Sequence, residues 1–329
     1  MSGVSREYVK DNEAEWRLDK WFKVHFPGLS YGRLSKLLRK GDIRVNGKRA
    51  KANLRLEGGM EIRLPPLGKD ERAAPKPQKH KKHLSEEDVD MMRSMVIYQD
   101  DSVIVLNKLP GLAVQGGTNT KKHVDGLLDA LQGTKDERPK LVHRLDKDTS
   151  GVLVIARTGA AAKKLTESFK TRQTNKVYWA LVKGKPPQQE GAVQAPLDKE
   201  PGTKGERMAV SEDGKRAITD FKVMDSAAGE VTWMAFRPVT GRTHQIRVHA
   251  TVLDTPIVGD GKYGAKDAFV EGAVSKKLHL HARNLEIEHP NGGTLSVKAT
   301  LPKHMSESFD MFGFDADDES NPFEEMDNV

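Results

Sequence analysis

The sequence predicts an α+β chain in two parts: a small basic module, then a larger domain of mixed helices and strands. Three observations lead there. Its 329 residues suffice for two domains at roughly 150 residues each. A Pro- and Lys-rich stretch, residues 67–85, separates patterned sequence on either side. In both parts, apolar stripes of helical period alternate with short β-type runs. Hydrophobic residues make up 36% and charged residues 31%, which is polar for a globular protein but short of disorder. No apolar run approaches the roughly 18 residues of a membrane span. Met1–Glu7 has no apolar core segment, so no secretory leader is expected. Cysteine is absent, which removes disulfides, thiol nucleophiles and thiolate metal sites and fits a reducing cytoplasm.

The net charge of +7 is unevenly spread. Ser306–Val329 holds nine acids and no Lys or Arg, so the rest of the chain carries +16. Trp16–Pro66 alone has 13 Lys and Arg against four acids, a net of +9. Concentrated basic charge is the footprint of a polyanion binder. Residues 1–15 read as an N-terminal extension. Leu18, Trp21 and Phe22 form a helical stripe, and Pro27-Gly28 breaks the chain. Ser30 then caps a helix over Tyr31–Lys40, with Leu34, Leu37 and Leu38 on one face and Arg33, Lys36, Arg39 and Lys40 on the other. Gly41 ends it. Ile43–Lys48, with Arg44 and Lys48, is a strand running into an Asn46-Gly47 hairpin turn, and Leu54–Glu57 and Met60–Leu64 complete a small sheet. A cationic helix beside a basic hairpin suits the phosphates of folded RNA. The stretches "RLDKWF", "SYGRLSKLLRKGDIRVNGK" and "GGMEIRLP" resemble the small alpha-L RNA-binding domain named after ribosomal protein S-four. For residues 16–66 that resemblance implies RNA binding without chemistry.

Lys69–His83 reads as an extended basic tether, in which His80 and His83 among repelling lysines make a poor zinc site. Ser85-Glu86-Glu87-Asp88 opens a short helix and a second domain, residues 86–305. Residues 306–329, rich in acids and poor in apolar groups, are expected to be disordered.

Within the second domain, Val96–Tyr98 and Val103–Leu106 are strands. The following Gly116-Gly117 loop lacks both the Walker spacing and a dinucleotide glycine pattern, so no nucleotide cofactor is expected. Leu141–Ala156 consists of two apolar runs around a loop bearing Asp146 and Asp148. Such a loop presents functional groups, or its Asp residues merely cap turns. Without further carboxylates the pair does not make a Mg²⁺ or Ca²⁺ site. Thr158 caps a helix to about Lys170. In the strand Lys176–Val182, Tyr178 and Ala180 share one face and Val177, Trp179 and Leu181 the other, which by pattern alone makes Tyr178 a core aromatic. In Arg237–Ala250 a turn at Thr240-Gly241 opens a helix on which Thr243 and Ala250 leave room for a close partner of Arg247. His244 and His249 are five apart, not the spacing of a helical zinc pair, and no metal is expected. Asp260–Gly264 is a tight turn, and His279 and His281 share one face of a strand.

Together "HRLDKDTSGVLVIA", "KVYWALVKG" and "GRTHQIRVHA…IVGDGKYG", with "NKLPGLAVQGG" upstream and "LHLHARNLEI" downstream, resemble the pseudouridine synthases of the large-subunit ribosomal RNA type. The resemblance runs from about Val96 to Pro302. "NKLPG" departs from the usual Asn-Lys-Pro and small residue, and Gln115 stands where a His is common. The resemblance implies a mixed, mostly antiparallel β-sheet with flanking helices and a cleft across it. It implies a cytoplasmic, monomeric isomerase that converts uridines to pseudouridine in large-subunit (23S) rRNA or its assembly intermediate. Nothing is added or removed overall, so no cofactor is expected. Breaking a glycosidic bond develops positive charge on the sugar, which a carboxylate stabilises or attacks. The family's invariant Asp falls on Asp146, as nucleophile at the sugar carbon or as base toward the 2′ proton. Arg247 is its expected ion-pair partner. Tyr178 packs on the target base and assists proton transfer at carbon 5, with Ile246 on the opposite side. Arg144 inserts where the base leaves the stack, and Arg242 and His244 are further RNA contacts. The alternative, a catalytically silent rRNA-binding factor, would be favoured by replacement of Asp146, Tyr178 or Arg247, and all three are present. A nucleoside glycosidase would need neither the basic module nor the tether.

Overall fold

The computed structural model describes residues 4–68, 71, 84–117, 120–171, 174–202 and 206–327, so the tether histidines His80 and His83 lie outside the described residues. The chain divides into two compact units, 1–83 and 84–329.

The first unit comprises β1 (Ser5–Tyr8), α1 (Leu18–His25), α2 (Tyr31–Lys40), β2 (Arg44–Val45), β3 (Lys48–Arg49) and β4 (Glu61–Leu64). The strands form an antiparallel sheet in the order β1-β4-β2-β3. Local chemistry sets the limits of α2. The Ser30 hydroxyl accepts the Arg33 N–H at 3.3 Å, and Gly41 adopts the left-handed conformation that closes the last turn. Leu18, Trp21, Phe22, Leu34 and Leu38 are buried together with Ile62 and Leu64 of the sheet. Arg33, Lys36, Arg39 and Lys40 remain exposed on the outer face of α2. Residues 1–15 are not a mere extension, because Ser5–Tyr8 pairs in register with Leu64–Glu61. A four-residue polar edge strand carries no hydrophobic signal, which hides it in the sequence.

In the second unit α3 (Glu86–Ser94) is capped by the Ser85 hydroxyl, which accepts the Asp88 N–H at 3.2 Å. The strands are β5 (Val96–Gln99), β6 (Val103–Lys108), β7 (Lys140–Leu141), β8 (Ser150–Ala156), β9 (Asn175–Lys183), β10 (Glu190–Gln194), β11 (Leu197–Glu200), β12 (Arg207–Val210), β13 (Ile218–Ala227), β14 (Val231–Pro238), β15 (Leu280–Glu288) and β16 (Thr294–Lys298). Ten of them build one sheet, ordered β10-β13-β14-β9-β15-β8-β6-β5, with β16 beside β15 and β7 beside β8. Among the described strands only β8 and β15 pair in parallel, so the sheet is mixed and mostly antiparallel, as expected. Strand β9 separates two cores by its period of two. Ala180 and Val182 join Phe221, Met234, Phe236 and Ile246 on one side. Val177, Trp179 and Leu181 join Trp233 on the other.

The acidic segment is not disordered. Lys303–Phe312 is a helix, and Phe309, Phe314 and Phe323 are buried against Trp179 and Trp233. The Arg237 guanidinium lies 4.6 Å from the Phe323 ring centre, and Arg283 donates to the Ala316 carbonyl at 3.3 Å. The second unit therefore runs past residue 305. Three buried phenylalanines, diluted in composition by nine acids, bury enough apolar surface to order the segment.

Candidate active site

Three stretches distant in sequence meet in one cleft of about 310 Å³. Asp146 stands on the loop between β7 and β8, Tyr178 on β9, and Arg247 on the helix α4 (Gln245–Val252). Arg144, Arg242, His244 and Ile246 line the same cleft, so it brings together every second-unit residue to which the resemblance assigns a site role. Arg33, Lys36, Arg39, Lys40, Arg44 and Lys48 belong to the first unit. There Arg33 pairs with Glu71 at 2.5 Å, and Arg44 donates to the carbonyls of Gly41 (3.3 Å) and Gly47 (3.1 Å).

Backbone economy places the Asp146 loop. Gly151, at φ +105°, is paired in parallel with Ala282 of β15, and a Cβ there would collide with the Ala282 carbonyl. Behind the loop Lys108 is fully buried. Its ammonium donates to the carbonyls of Leu109 (2.8 Å), Leu112 (2.9 Å) and Lys147 (3.0 Å), clamping the residue next to Asp146. Burial pulls the Lys108 pKa down to about 7, against the charges of Asp148 and Asp146. Sequence reasoning passed over Lys108, which there looks like the end of an apolar strand.

Arg247 does not pair with Asp146. Its Nε and Nη2 each donate at 2.7 Å to the two oxygens of Asp260, a bidentate pair with side chains 8% and 1% exposed. The tight turn holds Asp260 in place, since its Oδ1 also accepts the backbone N–H groups of Lys262 (3.1 Å) and Tyr263 (3.2 Å). The ring of Tyr263 lies under the guanidinium, 5.0 Å from centre to carbon. The small residues around Arg247 do admit a close partner, but it comes from the turn and not from the Asp146 loop.

Among the contacts described, the nitrogen nearest Asp146 is His244 Nε2, 3.8 Å from Oδ1. Helix α4 starts only at Gln245, later than the Thr240-Gly241 turn suggests. Gln245 turns back to accept the Thr240 hydroxyl (2.7 Å) and the Arg242 N–H (3.0 Å), and His244 is left at φ +53°. His244 Nδ1 is 2.6 Å from the Tyr263 hydroxyl, which accepts the Met208 N–H at 3.2 Å. With one hydroxyl lone pair taken by Met208, its proton is free to point at Nδ1, and the tautomer that accepts it carries Nε2–H facing the Asp146 carboxylate. Burial, with Arg247 and Lys262, lowers the His244 pKa against the pull of Asp146.

Tyr178 shares its side of β9 with Ala180 and packs near Ile246, which is 7% exposed. Burial, then the charge of Asp146, pushes the phenol well above its ordinary pKa, so it stays protonated at neutral pH. His143 closes the inner wall. It stacks on Phe169 with ring centres 4.2 Å apart and accepts the Val154 N–H at 2.8 Å, which requires a neutral ring. Among the described residues no group of His, Asp and Glu could hold a metal ion, and no helix is long and apolar enough to cross a membrane.

A carboxylate beside a protonated phenol and an apolar wall is suited to a neutral heterocycle linked to a sugar. The profile of the RNA pseudouridylate synthase family matches residues 102–251, and relatives 36–38% identical span nearly their whole length. The chain belongs to the RNA pseudouridylate synthase family. Curated relatives include the ribosomal large subunit pseudouridine synthase C of Rickettsia felis, 38% identical over 299 residues that cover 89% of this chain and 95% of the relative. The protein of that name in Escherichia coli is 37% identical over 292 residues, covering 87% and 89%. A solved structure of human RNA Pseudouridylate Synthase Domain Containing 4 superposes with a TM-score of 0.57 at 29% identity, covering 68% of this chain and 95% of that one.

Proposed function

We propose that this protein isomerises uridines of large-subunit ribosomal RNA to pseudouridine, with Asp146 acting on the ribose. The observation that carries the reading is the convergence of Asp146, Tyr178 and Arg247 on one cleft in a chain that resembles large-subunit rRNA synthases along nearly its full length. The carboxylate stabilises or attacks the sugar as the carbon–nitrogen bond breaks. Tyr178, kept protonated by burial, packs on the uracil and serves proton transfer at carbon 5, with Ile246 on the other side. Arg247 holds the Asp260 turn and so orients Tyr263 and His244 beside Asp146. Arg144, exposed at the cleft mouth, takes the place of the base drawn from its stack.

The first unit supplies affinity. Its cationic helix α2 and the Asn46-Gly47 hairpin form an RNA-binding domain of the ribosomal protein S-four type, held to the backbone by Arg33, Lys36, Arg39, Lys40, Arg44 and Lys48. The protein works as a cytoplasmic monomer without a cofactor.

The test is complementation of a deletion strain. Asp146→Asn should abolish the carbodiimide-detected pseudouridines of large-subunit rRNA while RNA binding persists. Modification surviving in that variant would overturn the assignment, and a wild-type protein that binds rRNA without restoring any pseudouridine would make it a silent binding factor.

A further inference from the structure

A second cavity, of about 710 Å³, opens beside the cleft. The two share Phe169, Lys176 and Arg242 along the wall between them. The charges of the second cavity do not balance. Among the described residues the one carboxylate lining it, Asp220, already accepts from Arg237 Nε at 3.0 Å. Lys170 turns to Glu167, 3.4 Å away. Lys176 and Arg242 have no acidic partner among the described residues.

For Arg242 that is unremarkable chemistry, because it is exposed and its Nε donates to the Arg216 carbonyl at 3.1 Å. Lys176 is in a different position. It stands on β9 two residues before Tyr178, on the same face, and it is half-buried with no hydrogen bond from its ammonium. Burial lowers its pKa, and among the described residues no carboxylate opposes the shift. Removing an ammonium from water without pairing it is unfavourable. A fold keeps such a group where a ligand completes it.

The missing partner is an anion, and the proposed substrate says which one. Uracil and ribose are neutral, and the negative charges a nucleotide brings into a cleft are its phosphodiesters. Drawing a nucleotide out of its stack carries the adjoining phosphate to the rim with it.

We infer that Lys176 is a phosphate-binding residue, whose ammonium pairs with the phosphodiester flanking the uridine in the cleft, while the neighbouring strand follows the second cavity past Arg242. This rests on the uridine-isomerising reading of the first cavity and deepens it by naming where the backbone sits. Bound phosphate restores to the lysine what burial withholds, so the contact is charge-assisted and poorly screened.

The experiment uses the full chain carrying Lys176→Met or Lys176→Arg and a 23S rRNA transcript labelled with tritium at carbon 5 of uridine. Tritium release reports the isomerisation, and filter binding across a salt series reports affinity. Lys176→Met should raise KM and the dissociation constant about tenfold with kcat nearly unchanged, and lower the slope of log affinity against log salt by about one. Lys176→Arg, which keeps the charge, should recover most of the affinity. Because Lys176→Met deletes an unpaired, half-buried charge, it should melt no lower than wild type, which separates lost binding from lost folding. A fall in kcat at unchanged KM with no rescue by arginine would make Lys176 the base at carbon 5 and overturn the phosphate assignment. An unchanged salt slope would also overturn it. If the wild-type protein released no tritium, the isomerase reading would fail, and the salt slope would still decide whether Lys176 meets a phosphate.

Discussion

Arg247 grips Asp260 through two 2.7 Å hydrogen bonds and leaves Asp146 to His244. The arginine acts as a structural tie between helix α4 and the turn behind it, and the carboxylate proposed for chemistry keeps its oxygens uncommitted.

Breaking this buried pair from one side strands a charge. Asp260→Ala should cost about 3–5 kcal/mol, read as a lower urea midpoint of the second unit. Replacing both partners with apolar residues, Arg247→Met with Asp260→Leu, should recover most of that stability but not the activity. A single-variant loss below about 1 kcal/mol would show that the pair is not desolvated as described.

Tyr263→Phe removes the hydroxyl that directs its proton to His244 Nδ1. The imidazole then loses the partner that selects the Nε2–H tautomer facing Asp146. We expect kcat to fall between about tenfold and a hundredfold, with KM little changed, because only the placement of the carboxylate is disturbed. Equal kcat in the variant would remove Tyr263 from the chain of contacts.

Acid should unfold this protein early. Burial, the largest cause in each case, depresses the pKa of His143 and His281 to about 3 and of His279 to about 4. The unfolded chain takes up protons below about pH 6.5, where these folded rings do not, so their contribution is complete above that pH and lost on the way down. At pH 5.5 the three together should have withdrawn roughly 4 kcal/mol. Denaturant midpoints between pH 7 and 5.5 measure this, and His143→Gln should reduce the linked proton uptake by about one.

Phe309 touches both Trp179 and Trp233, with ring centres 5.9 and 5.2 Å away. Phe309→Ala should cost about 3–5 kcal/mol, measured as a lower melting temperature. A near-neutral result would mean that the acidic segment leaves this position in solution.

Features governed by near neighbours were readable from the chain. Ser30, Gly41, Ser85 and Thr158 each act within a few residues, and the helices they bound run as the pattern predicts. Asp146, Tyr178 and Arg247, which line one cleft, stand out in the sequence through the order and spacing of the motifs that resemble the family, not through any local pattern that singles out an aspartate on a loop. Partnerships across the fold were invisible. Arg247 meets Asp260 thirteen residues away, His244 meets Tyr263 nineteen away, and Lys108 reaches Lys147 thirty-nine away. None of these spacings has a period. The segment after residue 305 was misread because average composition weighs nine acids against a few phenylalanines, whereas packing depends on where those few rings land.

Trp179 shares its strand with Tyr178, yet Phe309, which stacks on it, and Phe323 of the same core follow the cleft residues in synthesis. The last residue lining the cleft, Leu280, precedes Phe323 by 43 positions, which at about 5–20 residues per second is roughly 2 to 9 seconds of translation. During that interval a growing chain holds every cleft residue but lacks the wall behind β9. Competence therefore waits for Phe309, Phe314 and Phe323, and a polypeptide stalled around residue 300 presents Trp179 and Trp233 without those rings to quality-control factors instead of a working cleft to RNA.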